Sequence, residues 1–130
     1  MTILIIKGKI MRFLIIDDSS VERHALATGL ESLGHSVDQC DSAVDALKTI
    51  ESGIYNSVFL DVVMPEEDGY KFLRKVRLNP TTATQYVVFC SSKNTSIEMN
   101  YGVQRAGAND YLPKPVTSES IKKIIAAIPN

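Results

Sequence analysis

Asp61 ends the apolar run Ser57, Val58, Phe59, Leu60 and is followed at once by Val62, Val63, Met64 and Pro65, with Gly69 a little later. A carboxylate carried to the end of a hydrophobic strand and met by loop-forming residues is placed for chemistry. Two more acids, Asp17 and Asp18, end the run Phe13 to Ile16, and a lysine follows a third run in Leu112-Pro113-Lys114-Pro115. Three acids and one base at strand ends suggest a metal-assisted phosphoryl site. Carboxylates gathered together repel one another and drift toward protonation unless a cation shares the site. Magnesium suits such a site because it prefers oxygen ligands, keeps several waters and is commonly held by one or two carboxylates together with phosphate. Manganese would serve as a substitute, and Lys114 would be a second, permanent cation.

The elements that must position these groups follow from the apolar pattern. From Met11 onward short apolar runs alternate with amphipathic stretches, which predicts the α/β class, with strand-helix-strand units around a parallel sheet. The expected strands are Arg12 to Asp17, Ser36 to Cys40, Ser57 to Leu60, Tyr86 to Cys90 and Asp110 to Leu112. Ser19 with Glu22 reads as a capping box opening the first helix, which carries Val21, Ala25, Leu26, Leu30 and Leu33 to a stop at Gly34. Ser42 with Asp45 reads the same way before Ala43, Leu47 and Ile50, and Gly53 ends that helix. The third helix follows Gly69, with Phe72, Leu73 and Val76 ahead of Asn79-Pro80. A fourth, roughly Thr95 to Ala106, has no clean stripe and a weak point at Gly102, so it is expected to be the most mobile. The last has Ile121, Ile124, Ile125 and Ile128 on one face and Lys122 and Lys123 on the other.

A chain of 130 residues fits one domain. A 45% apolar content, 22% charged residues and a formal charge of −1 give no general attraction to nucleic acid or membrane. Cys40 and Cys90 form neither a metal spacing nor a disulfide framework and read as reduced core residues of a cytoplasmic protein. The apolar stretch Ile3 to Ile6 is too short to span a bilayer, so residues 1–10 are expected to be an extension or an extra strand, and residues 11–130 the domain proper.

In order along the chain come the Asp17-Asp18 pair, Asp61 with Met64-Pro65 and Gly69, a hydroxyl residue after the fourth strand, Gly107-Ala108, and Tyr111 with Lys114-Pro115. By these residues the chain from Met11 to Ile128 resembles the receiver domain of two-component response regulators. The resemblance implies a doubly wound five-stranded parallel sheet, flavodoxin-like with strand order 2-1-3-4-5, flanked by five helices. It implies that Asp61 is the nucleophile that takes a phosphoryl group from a phosphohistidine on a sensor histidine kinase. Asp18, Asp61 and the backbone carbonyl of Val63 would coordinate Mg2+, Asp17 would act through a bound water, and Lys114 would steady the transferring group after a cis bond to Pro115. A hydroxyl residue would then move to the phosphoryl group while Tyr111 turns inward. Counting forward from Asp61 gives Ser91 for that residue, and counting back from Lys114 gives Ser92. Ser91 is preferred because Ser91-Ser92-Lys93 reads as the strand exit. Val63 and Lys93 offer no carboxylate or amide to orient water, so slow self-dephosphorylation is expected.

Taken singly these residues have plainer readings. Asp18 could be a helix-capping acid, Ser91 a turn residue, Tyr111 a half-buried strand aromatic, and Lys122-Lys123 a solvated face. His24 and His35 read as surface residues. The chain ends soon after the last helix, so a stand-alone receiver is expected, a monomer or weak dimer. Its surface around the last two helices and fifth strand would meet a downstream effector in a chemotaxis or type IV pilus system. A phosphorelay intermediate serving a second histidine protein is the alternative. A small magnesium-dependent aspartyl-phosphate phosphatase would need an acid two residues after the nucleophile, where this chain has Val63.

Overall fold

The computed structural model describes residues 9–129, so the expectation for residues 1–10 falls almost wholly outside the described residues. The chain runs β1 (Arg12–Ile16), α1 (Ser20–Ser32), β2 (Ser36–Cys40), α2 (Ala46–Ile50), β3 (Ser57–Leu60), α3 (Gly69–Leu78), β4 (Val87–Ser91), α4 (Ser96–Gln104), β5 (Asp110–Pro113) and α5 (Ser118–Ala127). All strand pairs are parallel, in the order β2-β1-β3-β4-β5. After β1 the chain moves outward to β2, and from β3 it moves the other way. The carboxyl ends of β1 and β3 therefore border the crevice where strand order reverses, which is where such sheets bind ligands.

Helices cover both faces, so the central strands are apolar on both sides. Leu14, Ile16, Val58, Leu60, Val87 and Phe89 pack with Phe72, Leu73 and Val76 of α3. On the opposite face Phe13, Ile15, Phe59, Val88 and Leu112 pack with Leu26 and Leu30 of α1 and Ile121 and Ile124 of α5. Phe13, Phe59, Phe72 and Phe89 are among the side chains with no more than 1% exposure, each worth about 2–3 kcal/mol of transfer free energy. Arg77 fastens the lower rim. Its guanidinium donates to the carbonyls of Ala83, Gln85 and Gly107 and to Asn109 Oδ1, tying α3 to the segments on either side of β4.

Several local expectations need correction. α1 buries Leu26, Ala27 and Leu30, whereas Val21, Ala25 and Leu33 are exposed, because the stripe touching the sheet is narrower than the apolar spacing suggested. Ser42 and Asp45 form no capping box. Asp45 is itself the cap of a five-residue α2, left-handed at φ 65° and without a side-chain bond, while Ser42 Oγ accepts from Val44 N. Burial of Ala43 and Ala46 on the same side holds the chain in this tight turn. β4 starts at Val87 and includes Ser91, and α4 stops at Gln104 with a full capping box of Thr95 and Glu98. His35 is not a free surface residue. Its Nδ1 accepts from Met11 N at 3.0 Å, its ring meets Phe13 edge-on, and burial lowers its pKa. Cys90 is buried, but Cys40 is only partly so, and both are free.

Candidate functional site

The site is built from three chain reversals at the upper edge of the sheet. β1 carries Asp17 and Asp18 past its last ladder residue. Asp17 is buried, its Oδ1 accepts from Ser19 N at 2.9 Å, and its carbonyl accepts from Arg23 Nη1, so the turn into α1 fixes its direction. Asp18 is exposed at the mouth. Asp61 is held by its own N–H, which donates to Ile16 O, and by Gly69 N, which donates to Val62 O at 2.7 Å. Gly69 is required there by space, since a Cβ on it would lie 2.9 Å from Val62 Cα and closer still to the Asp61 carbonyl. Beyond β5, a cis bond joins Lys114 to Pro115, and Lys114 N donates to Ser91 O.

Asp17, Asp18 and Asp61 bring carboxylate oxygens within 4.8 Å of one another. Lys114 Nζ lies 2.8 Å from Asp17 Oδ2, 2.6 Å from Glu22 Oε1 and 3.6 Å from Asp61 Oδ1. Burial pushes the Asp61 carboxyl up to about 6, opposed by Lys114 and the Val63 N–H and reinforced by the charges of Asp17 and Asp18. For Lys114 burial works against the charge, but the bonds to Asp17 and Glu22 and the nearby Asp61 outweigh it and hold the ammonium above its ordinary value. The donor set is all oxygen and carries more negative charge than one lysine offsets. That is the chemistry a hard divalent cation satisfies, so the residues present fit Mg2+.

Ser91 and Tyr111 meet through one peptide neighbour. Ser91 Oγ accepts from Lys93 N at 3.2 Å, and the Tyr111 hydroxyl donates to Lys93 O. Ser91 is buried at the end of β4, whereas the alternative Ser92 is exposed. Tyr111 already faces inward, edge-on to Phe89 and against Gly102, where a Cβ would lie 3.0 Å from its ring. Burial raises its hydroxyl to about 12. Val63 is exposed and Lys93 is exposed, at the rim. The residue missed by sequence reasoning is Glu22. It lies one helical turn beyond Asp18, and because side chains lean toward a helix's N-terminus, a first-turn acid on α1 points back toward the strand ends.

The fold and this arrangement of acids and lysine define a receiver, and the chain belongs to the response regulator receiver domain family, whose model matches residues 13–126. Over 117 residues it is 32% identical to protein PilH of Pseudomonas aeruginosa, covering 90% of this chain and 96% of that protein. It is 33% identical over 111 residues to response regulator MprA of Mycobacterium avium, covering 85% of this chain but 47% of MprA. The fold matches chemotaxis protein CheY4 of Vibrio cholerae with a TM-score of 0.82 at 21% identity, covering 93% of this chain and all of that one. Among the described residues no helix is long and apolar enough to cross a membrane.

Proposed function

We propose that this receiver is a phosphorylation-controlled binding module in which Asp61 accepts a phosphoryl group from a sensor histidine kinase. The observation that carries the reading is Asp61 in a buried notch, sharing a 4.8 Å carboxylate cluster with Asp17 and Asp18 and facing Lys114 Nζ at 3.6 Å. An Asp61 carboxylate oxygen attacks phosphorus, the new P–O bond forms as the P–N bond of the phosphohistidine breaks, and the electron pair returns to the imidazole nitrogen. Asp61 must be ionised to attack, which its pKa near 6 allows at neutral pH. Asp18, Asp61 and the Val63 carbonyl are the groups that would hold Mg2+, with Asp17 acting through a water. When bound, the ion supplies positive charge against the oxygens of the transferring group. Lys114, 3.6 Å from Asp61, supplies a second cation, and the work of the site is positioning and electrostatics.

Ser91 and Tyr111 are the proposed switch pair. Their shared hold on the Lys93 backbone supports this, since any shift of Ser91 toward a phosphoryl oxygen pulls on the residue that anchors the tyrosine hydroxyl. The effector surface proposed is α4, β5 and α5, where Ile97 and Tyr101 stand exposed and Met99, Val103, Asp110 and Tyr111 line a groove. A motility-type pathway is supported by the near full-length likeness to protein PilH. The test is incubation with acetyl phosphate and Mg2+. Intact-mass measurement should show one added phosphoryl group that is lost in Asp61→Asn and in EDTA. Steady release of inorganic phosphate without a phosphorylated protein would overturn the proposal in favour of a phosphatase.

A further inference from the structure

Lys114 has three ammonium protons. Two of them are committed, at 2.8 Å to Asp17 and 2.6 Å to Glu22, while Asp61 at 3.6 Å lies outside hydrogen-bond reach. The third proton is uncommitted, but the ammonium stands nearer Asp17 and Glu22 than Asp61, so drawing it onto the anionic oxygens of a phosphorylated Asp61 stretches one of its present contacts. Asp17 is the poorer candidate, because its side chain is 6% exposed and on release would keep only the Ser19 N–H as a hydrogen-bond partner. The Glu22 side chain is 49% exposed and can return to water on release.

We propose, on the reading that Asp61 is the phospho-acceptor, that Glu22 is a positioning residue that holds Lys114 in reserve and competes with the phosphoryl group for its ammonium. Glu22 therefore sets how readily the site is occupied. Among the described residues no hydrogen bond joins its side chain to Asp17, Asp18 or Asp61, and it acts through Lys114. The backbone N–H of Glu22, which Ser19 Oγ caps at 3.3 Å, is unaffected by changes to its side chain.

Beryllofluoride, a phosphoryl mimic, tests this with Mg2+ present. Half-exposed ion pairs carry up to about 1 kcal/mol, so Glu22→Gln should bind beryllofluoride about two- to fivefold more tightly than wild type. Its Mg2+ affinity should stay within about twofold, whereas a merely structural disturbance would move both. Glu22→Asp keeps the charge but is one methylene too short to hold the contact, and it should behave like Glu22→Gln. Urea unfolding of each variant confirms that it folds. Equal or weaker beryllofluoride binding by Glu22→Gln overturns the inference alone, as does wild-type behaviour of Glu22→Asp. Failure of the wild type itself to bind beryllofluoride overturns the phospho-acceptor reading and the inference with it.

Discussion

Asp61→Asn should make the metal-free protein more stable, although it removes the residue on which the proposed chemistry depends. Asp61 is 7% exposed, and its carboxyl is displaced from 3.8 to about 6, chiefly by burial. At ~1.36 kcal/mol for each tenfold change in acid dissociation, its ionisation at neutral pH costs about 3 kcal/mol relative to the unfolded chain. Asparagine keeps the shape and can still accept from Val63 N, and Lys114 retains Asp17 and Glu22, so nothing is orphaned. The sign follows from linkage. Between about pH 4 and 6 the folded wild type binds more protons than the unfolded chain, so its stability falls as pH rises through that window and stays low above it. The gain from Asp61→Asn should therefore be about 1–3 kcal/mol at pH 7.5 and shrink toward zero near pH 4. Urea unfolding followed by circular dichroism in EDTA measures both. Mg2+ should then raise wild-type stability and leave Asp61→Asn nearly unchanged, because only the wild type offers the full donor set. A variant less stable than wild type at pH 7.5, or a difference that does not change with pH, would refute the account of Asp61 as a buried charge under strain.

Arg77→Met keeps the aliphatic stem but strips the donors from the carbonyls of Ala83, Gln85 and Gly107, and should cost about 2–4 kcal/mol in urea unfolding. A loss below about 0.5 kcal/mol would show that water replaces the guanidinium freely. Gly69→Ala must push the Val62 backbone aside, so a loss of about 1–3 kcal/mol together with weaker Mg2+ binding is expected, and a variant normal in both would contradict the contact argument. The phosphorylated protein should persist for minutes or longer at neutral pH, since Val63 and Lys93 offer no carboxylate or amide to orient a water. Decay within seconds, followed by intact mass, would sink that expectation.

The parts of the fold legible in the sequence are those set by local, one-dimensional signals. The runs Phe13 to Ile16 and Ser57 to Leu60 are buried on both faces, and a strand with helices above and below needs no alternation to be recognised. The acids at their ends follow automatically, since a parallel sheet delivers the residues after β1 and β3 to one crevice. Less legible was any property that depends on what lies opposite. Val21 and Leu33 satisfy a helical period yet face water, and His35 is occupied by the Met11 N–H across the β1–β2 edge. The length of α2 was also hidden, because the left-handed turn at Asp45 follows from how Ala43 and Ala46 seat against β1 and β3.

Glu22 shows how a correct local motif can conceal a tertiary role. Ser19 followed by Glu22 has the capping-box pattern, and Ser19 performs its half by accepting from Glu22 N. The reciprocal half is absent because the Ser19 N–H already has an acceptor in Asp17 Oδ1 at 2.9 Å. With that donor satisfied, the Glu22 carboxylate is released to the strongest cation within reach, Lys114, 92 residues away in sequence. A charge-assisted bond to an ammonium exceeds a bond to a neutral amide, so the exchange runs downhill. The acid that precedes the cap thus does two things at once: it orients Lys114 directly, and by taking the cap N–H it frees a second carboxylate to hold the same lysine. On that ordering, Asp17→Ala should leave Glu22 on Lys114, its stronger partner, and strip the Ser19 amide of its carboxylate acceptor. Nuclear magnetic resonance would read this as a Ser19 amide that loses its hydrogen bond while the Glu22–Lys114 pair persists, and a Ser19 amide that stays bonded would count against it.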